Sequence, residues 1–330
     1  MVRAQELYGD YWFNAEPVTV AAQRGRVMLL DFWDYSCAGS IRALPYVKDW
    51  HEKYGRHGLV VIGVHTPRFA FGKDPAGVQR AIERFRVPYP VVMDNEGMIW
   101  SRYENRHWPA QHLVDRHGFV RLVNVGEGGY AATEHIIQTL MLDAGLLDEM
   151  PVLTEPQRDA DRVGSVSYRA TPELFAGYLR GSIGNVEGYS PESEMHYADP
   201  GIYVEGRFYV VGDWSNGRDA LALLGEEGGH VLLRYAAMEV NAVFSPGKNQ
   251  LVSVEVRQDG EYLNRESLGE DVRIDGTGRS SFIVDEPRCF NIVRNKEHGD
   301  HVLKLTTAAG GTALYALSFV SGVVPELISG

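Results

Sequence analysis

The residues best suited to chemistry lie in the stretch 31–40, Asp-Phe-Trp-Asp-Tyr-Ser-Cys-Ala-Gly-Ser. Cys37 and Cys289 are the only two cysteines of the chain, and the thiolate form of cysteine is a strong nucleophile. The apolar run 27–33 predicts a buried strand, and 41–54 carries apolar residues at helical spacing, so Cys37 falls near the start of a helix. Helix N-termini favour a thiolate, because their unpaired N–H groups carry partial positive charge. We therefore predict an exposed, nucleophilic Cys37 rather than a small buried apolar side chain.

Composition limits the classes of function open to this chain. Its 330 residues exceed one typical domain of roughly 100 to 200 residues. The 32 Lys and Arg against 44 Asp and Glu give a net charge of −12, which repels phosphate backbones and anionic lipid. We therefore expect two domains and no nucleic-acid partner.

Sequence signals for export, metal binding and cofactor binding are absent. Residues 1–10 do not read as a signal peptide, and no stretch approaches the ~18 apolar residues of a membrane span. We expect a cytoplasmic location for the chain as written, or an exported one if a signal or membrane domain has been removed from it. No cofactor is expected, and the spacing of His107, His112 and His117 does not favour a metal site.

The first half alternates strand-like and helix-like segments, which is typical of an open α/β sheet. We place this α/β domain at 1–148. Strands are predicted at 27–33, 59–65, 89–93, 111–115 and 119–125, and helices at 41–54, 74–85 and 133–144. Asp74 is the predicted N-cap of the second helix, with Pro75 at its first helical position.

The second half has a different pattern. A polar, proline-bearing stretch follows the first domain, and we place a linker at 149–180. Nine short strand-like runs, several separated by Gly, Asn or Asp turns, lie between 207 and 320. Short strands at this spacing predict an all-β sandwich or jelly roll over 181–330.

The region around Cys37 resembles the active-site region of thioredoxin. Asp31-Phe32-Trp33 stands before Cys37 at the spacing of the thioredoxin active-site strand, and Pro45 matches the proline that kinks the active-site helix. Trp108-Pro109-Ala110 is similar to the family's cis-proline segment. The resemblance implies a cis Trp108–Pro109 bond facing the sulfur, and a buried Asp31 that accepts a proton from the site. An Asp31 satisfied by local backbone is the alternative.

Similarity extends over nearly the whole chain to the soluble part of DipZ-type thiol-disulfide oxidoreductases. These combine a thioredoxin-like domain of the redoxin and TlpA kind with a jelly-roll domain that resembles a carbohydrate-binding module. The stretches that carry this resemblance are 63–67, 89–95, 105–110, 126–128 and 286–293.

One departure from the family pattern concerns the second cysteine, which is replaced by Ser40, so that CxxC becomes CxxS. Without a resolving thiol at that position, a mixed disulfide at Cys37 would persist until an external thiol arrived. Cys289 lies in the other predicted domain, and the sequence gives no reason to expect it within disulfide reach. We predict that the Ser40 hydroxyl donates a hydrogen bond to the sulfur from the first helical turn.

The sequence therefore predicts a monothiol thiol-disulfide oxidoreductase with Cys37 as nucleophile, assisted by Ser40 and Asp31. Its partners would be a disulfide-bearing protein or a low-molecular-weight thiol. Pro109 is expected to shape the substrate groove. The aromatic side chains of Trp33, Tyr35 and Trp108 are expected to contact the substrate.

Two alternatives remain open. A single-cysteine peroxidase is less favoured, because Asp34 stands where the peroxiredoxin family usually has a threonine, and an anion there opposes a thiolate. The non-enzyme alternative is a degenerate scaffold protein whose jelly roll binds carbohydrate or a protein partner. The aromatic residues Trp214, Tyr203, Tyr209 and Tyr262 could line a sugar-binding surface, although aromatic residues in a jelly roll are more often core.

Overall fold

The computed structural model of the protein describes residues 2–9, 11–225, 227–248 and 250–325. The chain divides into two compact units, Met1–Gly164 and Ser165–Gly330. This division falls inside the predicted linker 149–180. None of the described helices is long and apolar enough to cross a membrane.

The first unit is a six-stranded mixed sheet with helices packed on it, as expected for a thioredoxin-like α/β fold. Strands β2, β3 and β4 are parallel, β5 and β6 follow antiparallel on one side, and β1 pairs with β4 at the other edge, in the order β1-β4-β3-β2-β5-β6. The strands are β1 Trp12–Phe13, β2 Val27–Trp33, β3 Leu59–His65, β4 Val91–Met93, β5 Ala110–Val114 and β6 Val120–Val125. The helices are α1 Ala38–Gly55, α2 Pro75–Phe85, α3 Met98–Arg102 and α4 Tyr130–Asp143, with short 3-10 helices at Ala21–Gln23, Ala70–Lys73 and Asp159–Asp161.

Strand β2 occupies a central position in the sheet and is buried along its whole length. Both of its faces are covered, so its sequence is a nearly continuous apolar run instead of an alternating one. Val27, Leu29 and Trp33 belong to the core shared with the helices α1, α2 and α4. The apolar residues that alternate with these three pack on the opposite face of the sheet. Asp31 is the one charged residue of this strand, and by alternation it lies on the α1 face.

Helix α1 begins at Ala38, three residues before the apolar pattern of 41–54, and its start beside Cys37 confirms the predicted position of the thiol. The predicted N-cap of α2 is confirmed, because the carboxylate of Asp74 accepts hydrogen bonds from the backbone N–H groups of Ala76 and Gly77. Helix α4 begins at Tyr130, also three residues before its predicted start.

The beginning of the predicted linker packs on the first unit. Thr154 donates its backbone N–H to the carboxylate of Glu134 (2.8 Å), and Gln157 donates its N–H to the hydroxyl of Tyr46 (2.7 Å). The Tyr46 hydroxyl in turn donates to the carboxylate of Asp161 (2.7 Å). These part-buried hydrogen bonds hold 151–161 against the first unit as an arm.

The second unit is an antiparallel β structure. Its strands are β7 Leu174–Phe175, β8 Glu194–Tyr197, β9 Phe208–Asn216, β10 Leu221–Leu223, β11 Gly229–Ser245, β12 Val252–Gln258, β13 Glu261–Tyr262, β14 Arg273–Ile274, β15 Ser280–Val284, β16 Arg288–Thr307 and β17 Ala313–Val320. Strand β7, inside the predicted linker, pairs with β17. Strand β11 pairs with β9 through residues 230–233 and with β17 through residues 239–245, and β10 pairs with both β9 and β17.

Two long strands replace four of the predicted short ones in this unit. The predicted runs 230–235 and 242–244 are parts of β11, and 290–294 and 301–306 are parts of β16. Shifts of register between β11 and β16 near Ala237 and Val240 mark irregular points where a single strand can bend. At these points the alternation of apolar and polar residues is interrupted. This interruption explains why four short strands were predicted where the structure has two long ones. The jelly-roll arrangement itself stays a prediction.

Candidate active site

Cys37 is the N-cap residue of the 18-residue helix α1, directly after the loop that leaves β2. Its backbone N–H donates to the carbonyl of Asp34 (3.0 Å), and its carbonyl accepts the first helical hydrogen bond, from Ile41 (3.0 Å). Cys37 is only 8% exposed, and its Sγ lies 3.9 Å from the carbonyl oxygen of Trp108. The sulfur is therefore largely covered, in contrast to the expected exposed position, because the 108–109 segment lies against it.

The Trp108–Pro109 peptide bond is cis, which confirms the prediction. Pro109 is buried, and Trp108 is half-buried with its ring stacked on Trp100 at a centroid distance of 4.0 Å. The indole N–H of Trp108 donates to the carbonyl of Thr66 (3.0 Å), which fixes the ring beside the loop after β3. Trp108 is therefore the one predicted binding aromatic that keeps a solvent-facing surface next to Cys37.

Asp34 joins the two loops that border the sulfur. Its Oδ1 accepts from the backbone N–H of Ser36 (2.7 Å) and from the Ser36 hydroxyl, and its Oδ2 accepts from the backbone N–H of Arg68 (3.0 Å). Both carboxylate oxygens are thus engaged by the loops. Cys37 also contacts Asp34 and Trp108, and Trp108 contacts Thr66. These bonds therefore connect the loop after β2, the loop after β3 and the cis-proline segment at the position of the thiol.

Sequence reasoning treated Asp34 only as an unfavourable anion and missed this positioning role. The signal was an Asp two residues before a Ser in a short loop, a pattern that favours side-chain to backbone hydrogen bonds.

The predicted hydrogen bond from the Ser40 hydroxyl to the Cys37 sulfur is not among the hydrogen bonds of the described residues. It is buried on the first turn of α1, and its hydroxyl oxygen accepts from the backbone N–H of Asp34 at 3.3 Å. The loop before the helix folds back over the first turn, so the nearest strong donor is this backbone group and not the thiol. Ser40 therefore supports the active-site loop.

Asp31 lies under α1 and is 1% exposed. Burial raises the pKa of Asp31 from 3.8 to about 7, and the amide of Gln111 on β5 acts in the opposite direction. Gln111 is the register partner of Asp31, although the two side chains do not reach the geometry of a normal hydrogen bond. The carboxylate makes no hydrogen bond to local backbone among the described residues. The alternative of an Asp31 satisfied by local backbone is therefore wrong.

Trp33 and Tyr35, both predicted to contact substrate, lie in the core. His65, the last residue of β3, packs between them: it meets the edge of Trp33 and stacks on Tyr35 at a centroid distance of 5.3 Å. These contacts leave neither aromatic ring a surface for a bound molecule. Burial lowers the pKa of His65, and the charge of Asp34, whose Oδ2 lies 3.6 Å from Nε2, opposes that change.

Glu127, in the loop after β6, closes the side of the first helical turn. Its carboxylate accepts from Arg42 Nε (2.8 Å) and forms an ion pair with Arg158 (3.3 Å). A Cβ added at Gly39 would lie 3.0 Å from a Glu127 oxygen, so a glycine lets the carboxylate approach the helix start closely. Burial works to raise the pKa of Glu127, but the two arginines outweigh it and hold that pKa below its usual value.

The other candidate residues lie outside this site. His112 is buried on β5 with its Nε2 2.8 Å from the Asn105 side-chain oxygen, and among the described residues no group of three or more His, Cys, Asp or Glu could hold a metal ion. Cys289 lies in β16 of the second unit, and neither Cys37 nor Cys289 forms a disulfide. Trp214 and Tyr209 are buried, so two members of the suggested sugar-binding surface belong to the core.

Two parts of the chain match known protein families. Residues 9–123 match the AhpC/TSA family, and residues 171–319 match the family described as the thioredoxin like C-terminal domain. Protein DipZ of Mycobacterium tuberculosis is 37% identical over 200 residues, which are 59% of this chain and 26% of that protein. The chain thus spans about a quarter of the length of this relative.

Thiol-disulfide oxidoreductase YkuV of Bacillus subtilis is 26% identical over 139 residues, covering 42% of this chain and 93% of that protein. A thiol-disulfide isomerase structure from Corynebacterium glutamicum superposes with a TM-score of 0.38 and 23% identity, over 42% of this chain and 96% of that one. Residues 9–123 are thus similar to the AhpC/TSA family and residues 171–319 to the thioredoxin like C-terminal domain, and parts of the chain are similar to DipZ and to a thiol-disulfide oxidoreductase.

Proposed function

We propose that this protein is a monothiol thiol-disulfide oxidoreductase in which Cys37 is the nucleophile and an external thiol completes each cycle. The observation that carries the proposal is the position of Cys37, at the N-terminus of an 18-residue helix and in contact with the carbonyl of Trp108 before the cis proline. The helix terminus stabilises a thiolate at this place. Ser40 offers no second thiol, and its hydroxyl is bound to the backbone of Asp34.

The exchange runs in two balanced steps. The thiolate of Cys37 attacks one sulfur of a disulfide R–S–S–R′, which forms Cys37–S–S–R and releases R′–S⁻. An external thiolate R″–S⁻ then attacks the sulfur of R, which forms R–S–S–R″ and returns the Cys37 thiolate. The external thiol is the reductant, and its proton passes to solvent or to Asp31. Because Cys37 is only 8% exposed, we expect small or extended disulfides to react in preference to bulky ones.

The test uses the full chain and a small aromatic disulfide, DTNB. We expect one coloured thiolate to be released per native molecule and a matching mass increase on Cys37, followed by release of the second thiolate when glutathione is added. Catalysed reduction of hydroxyethyl disulfide by glutathione is expected to fall at least about 100-fold in Cys37→Ser. Cys289→Ser is the matched control and is expected to keep the activity.

The outcomes separate the proposal from its alternatives. Reaction of DTNB only after unfolding, with no catalysed exchange, would contradict the proposal and favour a scaffold protein. Consumption of hydrogen peroxide with a sulfenic acid at Cys37, in the absence of disulfide exchange, would favour the single-cysteine peroxidase instead.

A further inference from the structure

A group of polar side chains surrounds Asp31 beneath α1, and the proposed exchange assigns no role to most of them. Gln111, Tyr89 and Trp33 are all buried. Both oxygens of Asp31, both amide atoms of Gln111, the Tyr89 hydroxyl and the Trp33 indole N–H have no hydrogen bond to the described residues. An unsatisfied buried polar group costs about 1 to 3 kcal/mol, so a concentration of them beside one carboxyl calls for a reason.

The sheet places Gln111 next to Asp31. Asp31 on β2 is the direct register partner of Gln111 on β5. Directly paired residues of antiparallel strands have Cβ atoms about 4.5 to 5.5 Å apart and extend their side chains to the same face of the sheet. That face is the α1 face, because Leu29 and Trp33 on β2 and Leu113 on β5 share one core cluster there. The two side chains therefore face each other under the helix that carries Cys37.

The other neighbouring strand offers Asp31 no side-chain partner. Its register partner on β3 is Gly63. A Cβ at Gly63 would lie 3.1 Å from Trp33 Nε1 and 3.2 Å from the Tyr89 ring, so the space on that side is already filled. Among the described residues no cation contributes to the ionisation of Asp31. The Gln111 amide, the Tyr89 hydroxyl and the Trp33 indole N–H are thus the neutral donors on this face, and Gln111 is the one in direct register with Asp31.

The chemistry of an amide suits this position. The N–H groups of Gln111 can donate to the carboxylate form of Asp31, and its carbonyl can accept from the protonated form after a rotation of the amide. A lysine could serve only the charged form. Around this pair, Tyr89 stays protonated because burial and the charge of Asp31 both raise its pKa. Other titratable groups of the packed elements include His65 at the end of β3, Cys37 at the N-cap of α1, and His51 on α1, whose ring meets the Tyr89 ring at a centroid distance of 5.7 Å.

We propose that Gln111 is a positioning residue that holds the carboxylate of Asp31 and sets the pH at which this acid exchanges a proton during thiol exchange at Cys37. The inference rests on the proposed function for its last step. The contact between Gln111 and Asp31 can be tested without it, because the titration of a carboxyl group can be observed directly.

The first experiment follows the side-chain carboxyl of Asp31 by ¹³C NMR in the full chain, with Asp31→Asn to assign the signal. We expect a midpoint at about pH 7 in the natural chain. In Gln111→Leu we expect the midpoint to rise by about one pH unit, because the variant has no amide N–H that can turn to donate to the charged form. Gln111→Asn keeps a shorter amide and is expected to give a smaller rise, and it serves if the leucine variant does not fold.

The matched control is Gln138→Leu, which removes another buried amide of the first unit. Gln138 lies on α4 and donates to the hydroxyl of Tyr54 (2.8 Å) and to the carbonyl of Pro151 (2.7 Å). We expect no change of the Asp31 midpoint in this variant. An unchanged midpoint in both Gln111 variants, or an equal rise in Gln138→Leu, would overturn the proposal.

The second experiment measures the release of a Cys37 mixed disulfide by glutathione as a function of pH. If Asp31 takes the proton, the step of the pH profile near pH 7 should move upward in Gln111→Leu by the same amount as the NMR midpoint. In Asp31→Asn that step should disappear and leave only the ionisation of glutathione itself. A shifted midpoint with an unshifted release rate would overturn the role of Gln111 in exchange. Absence of any exchange, with a shifted midpoint, would instead overturn the proposed function and leave the positioning of Asp31 in place.

Discussion

Two buried carboxyl groups of the first unit have opposite surroundings. Asp31 under the start of α1 makes no hydrogen bond to the described residues, and burial raises its pKa to about 7. Glu134 on α4 is fully buried and accepts hydrogen bonds from Lys53 (2.8 Å), Tyr54 (2.6 Å) and the backbone of Thr154 (2.8 Å). Burial acts to raise the pKa of Glu134 too, but these donors outweigh it and keep the pKa below its usual value.

The difference shows that a buried acid stabilises the fold when it has hydrogen-bond donors and a cation as partners, whatever the extent of its burial. Glu134 anchors the arm 151–161 to α1 and α4 as a permanent anion. Asp31 is kept near its point of ionisation close to Cys37, which suits proton transfer and costs stability when the group is charged. The two ends of α1 therefore serve different purposes.

The largest effect is expected from Asp31→Asn. The folded pKa of about 7 lies above the ordinary 3.8, so unfolding releases a proton between these values and stability falls as the pH rises through that range. The variant removes this loss and should be more stable than the natural chain by about 4 kcal/mol at pH 8, with no gain below about pH 4. Urea unfolding, monitored by hydrogen exchange of β2 and β3 peptides, measures it. Equal stabilities at pH 8 would contradict the comparison.

The opposite sign is expected for Glu134→Gln. Removing this anion leaves Lys53 without its 2.8 Å partner and weakens the attachment of Thr154. A loss of about 3 kcal/mol at pH 7 is expected, as for the breaking of a buried ion pair. Glu96→Gln, which breaks the exposed pair with Lys73 (3.0 Å), is the matched control and should change stability by less than about 1 kcal/mol. A stabilised Glu134→Gln would show that the two carboxyl groups do not differ as described.

A smaller effect concerns a buried base. Burial lowers the pKa of His112 to about 4, below its ordinary 6.5, so unfolding takes up a proton between these values. Stability from this group is therefore complete above pH 6.5 and is lost as the pH falls, by about 2 kcal/mol between pH 7 and pH 5. His112→Gln should remove this part of the pH dependence, and the exposed His107→Gln should not. The same unfolding measurement at both pH values decides the matter, and an unchanged pH dependence in His112→Gln would refute it.

Much of the first unit could be predicted from local pattern. Residues close in sequence determine three of its features: the apolar run of β2, the N-cap at Asp74 and the position of Cys37 between a loop and a helix. The cis bond at Pro109 followed from family resemblance. In the second unit, the interrupted alternation in β11 and β16 led to four short strands, because a bend and a strand end look alike in sequence.

The composition and order of residues by themselves determined an α/β unit followed by a β unit, with a single helix-capping thiol and no second thiol beside it. Only the tertiary structure decided how far Cys37 is covered, that Ser40 binds the Asp34 backbone, that Trp33 and Tyr35 are core, and that Gln111 faces Asp31. The physical reason is the sequence separation over which each interaction acts. Capping and periodicity act between neighbours in the chain, whereas burial and strand register depend on segments that are far apart in sequence and meet only when the sheet forms.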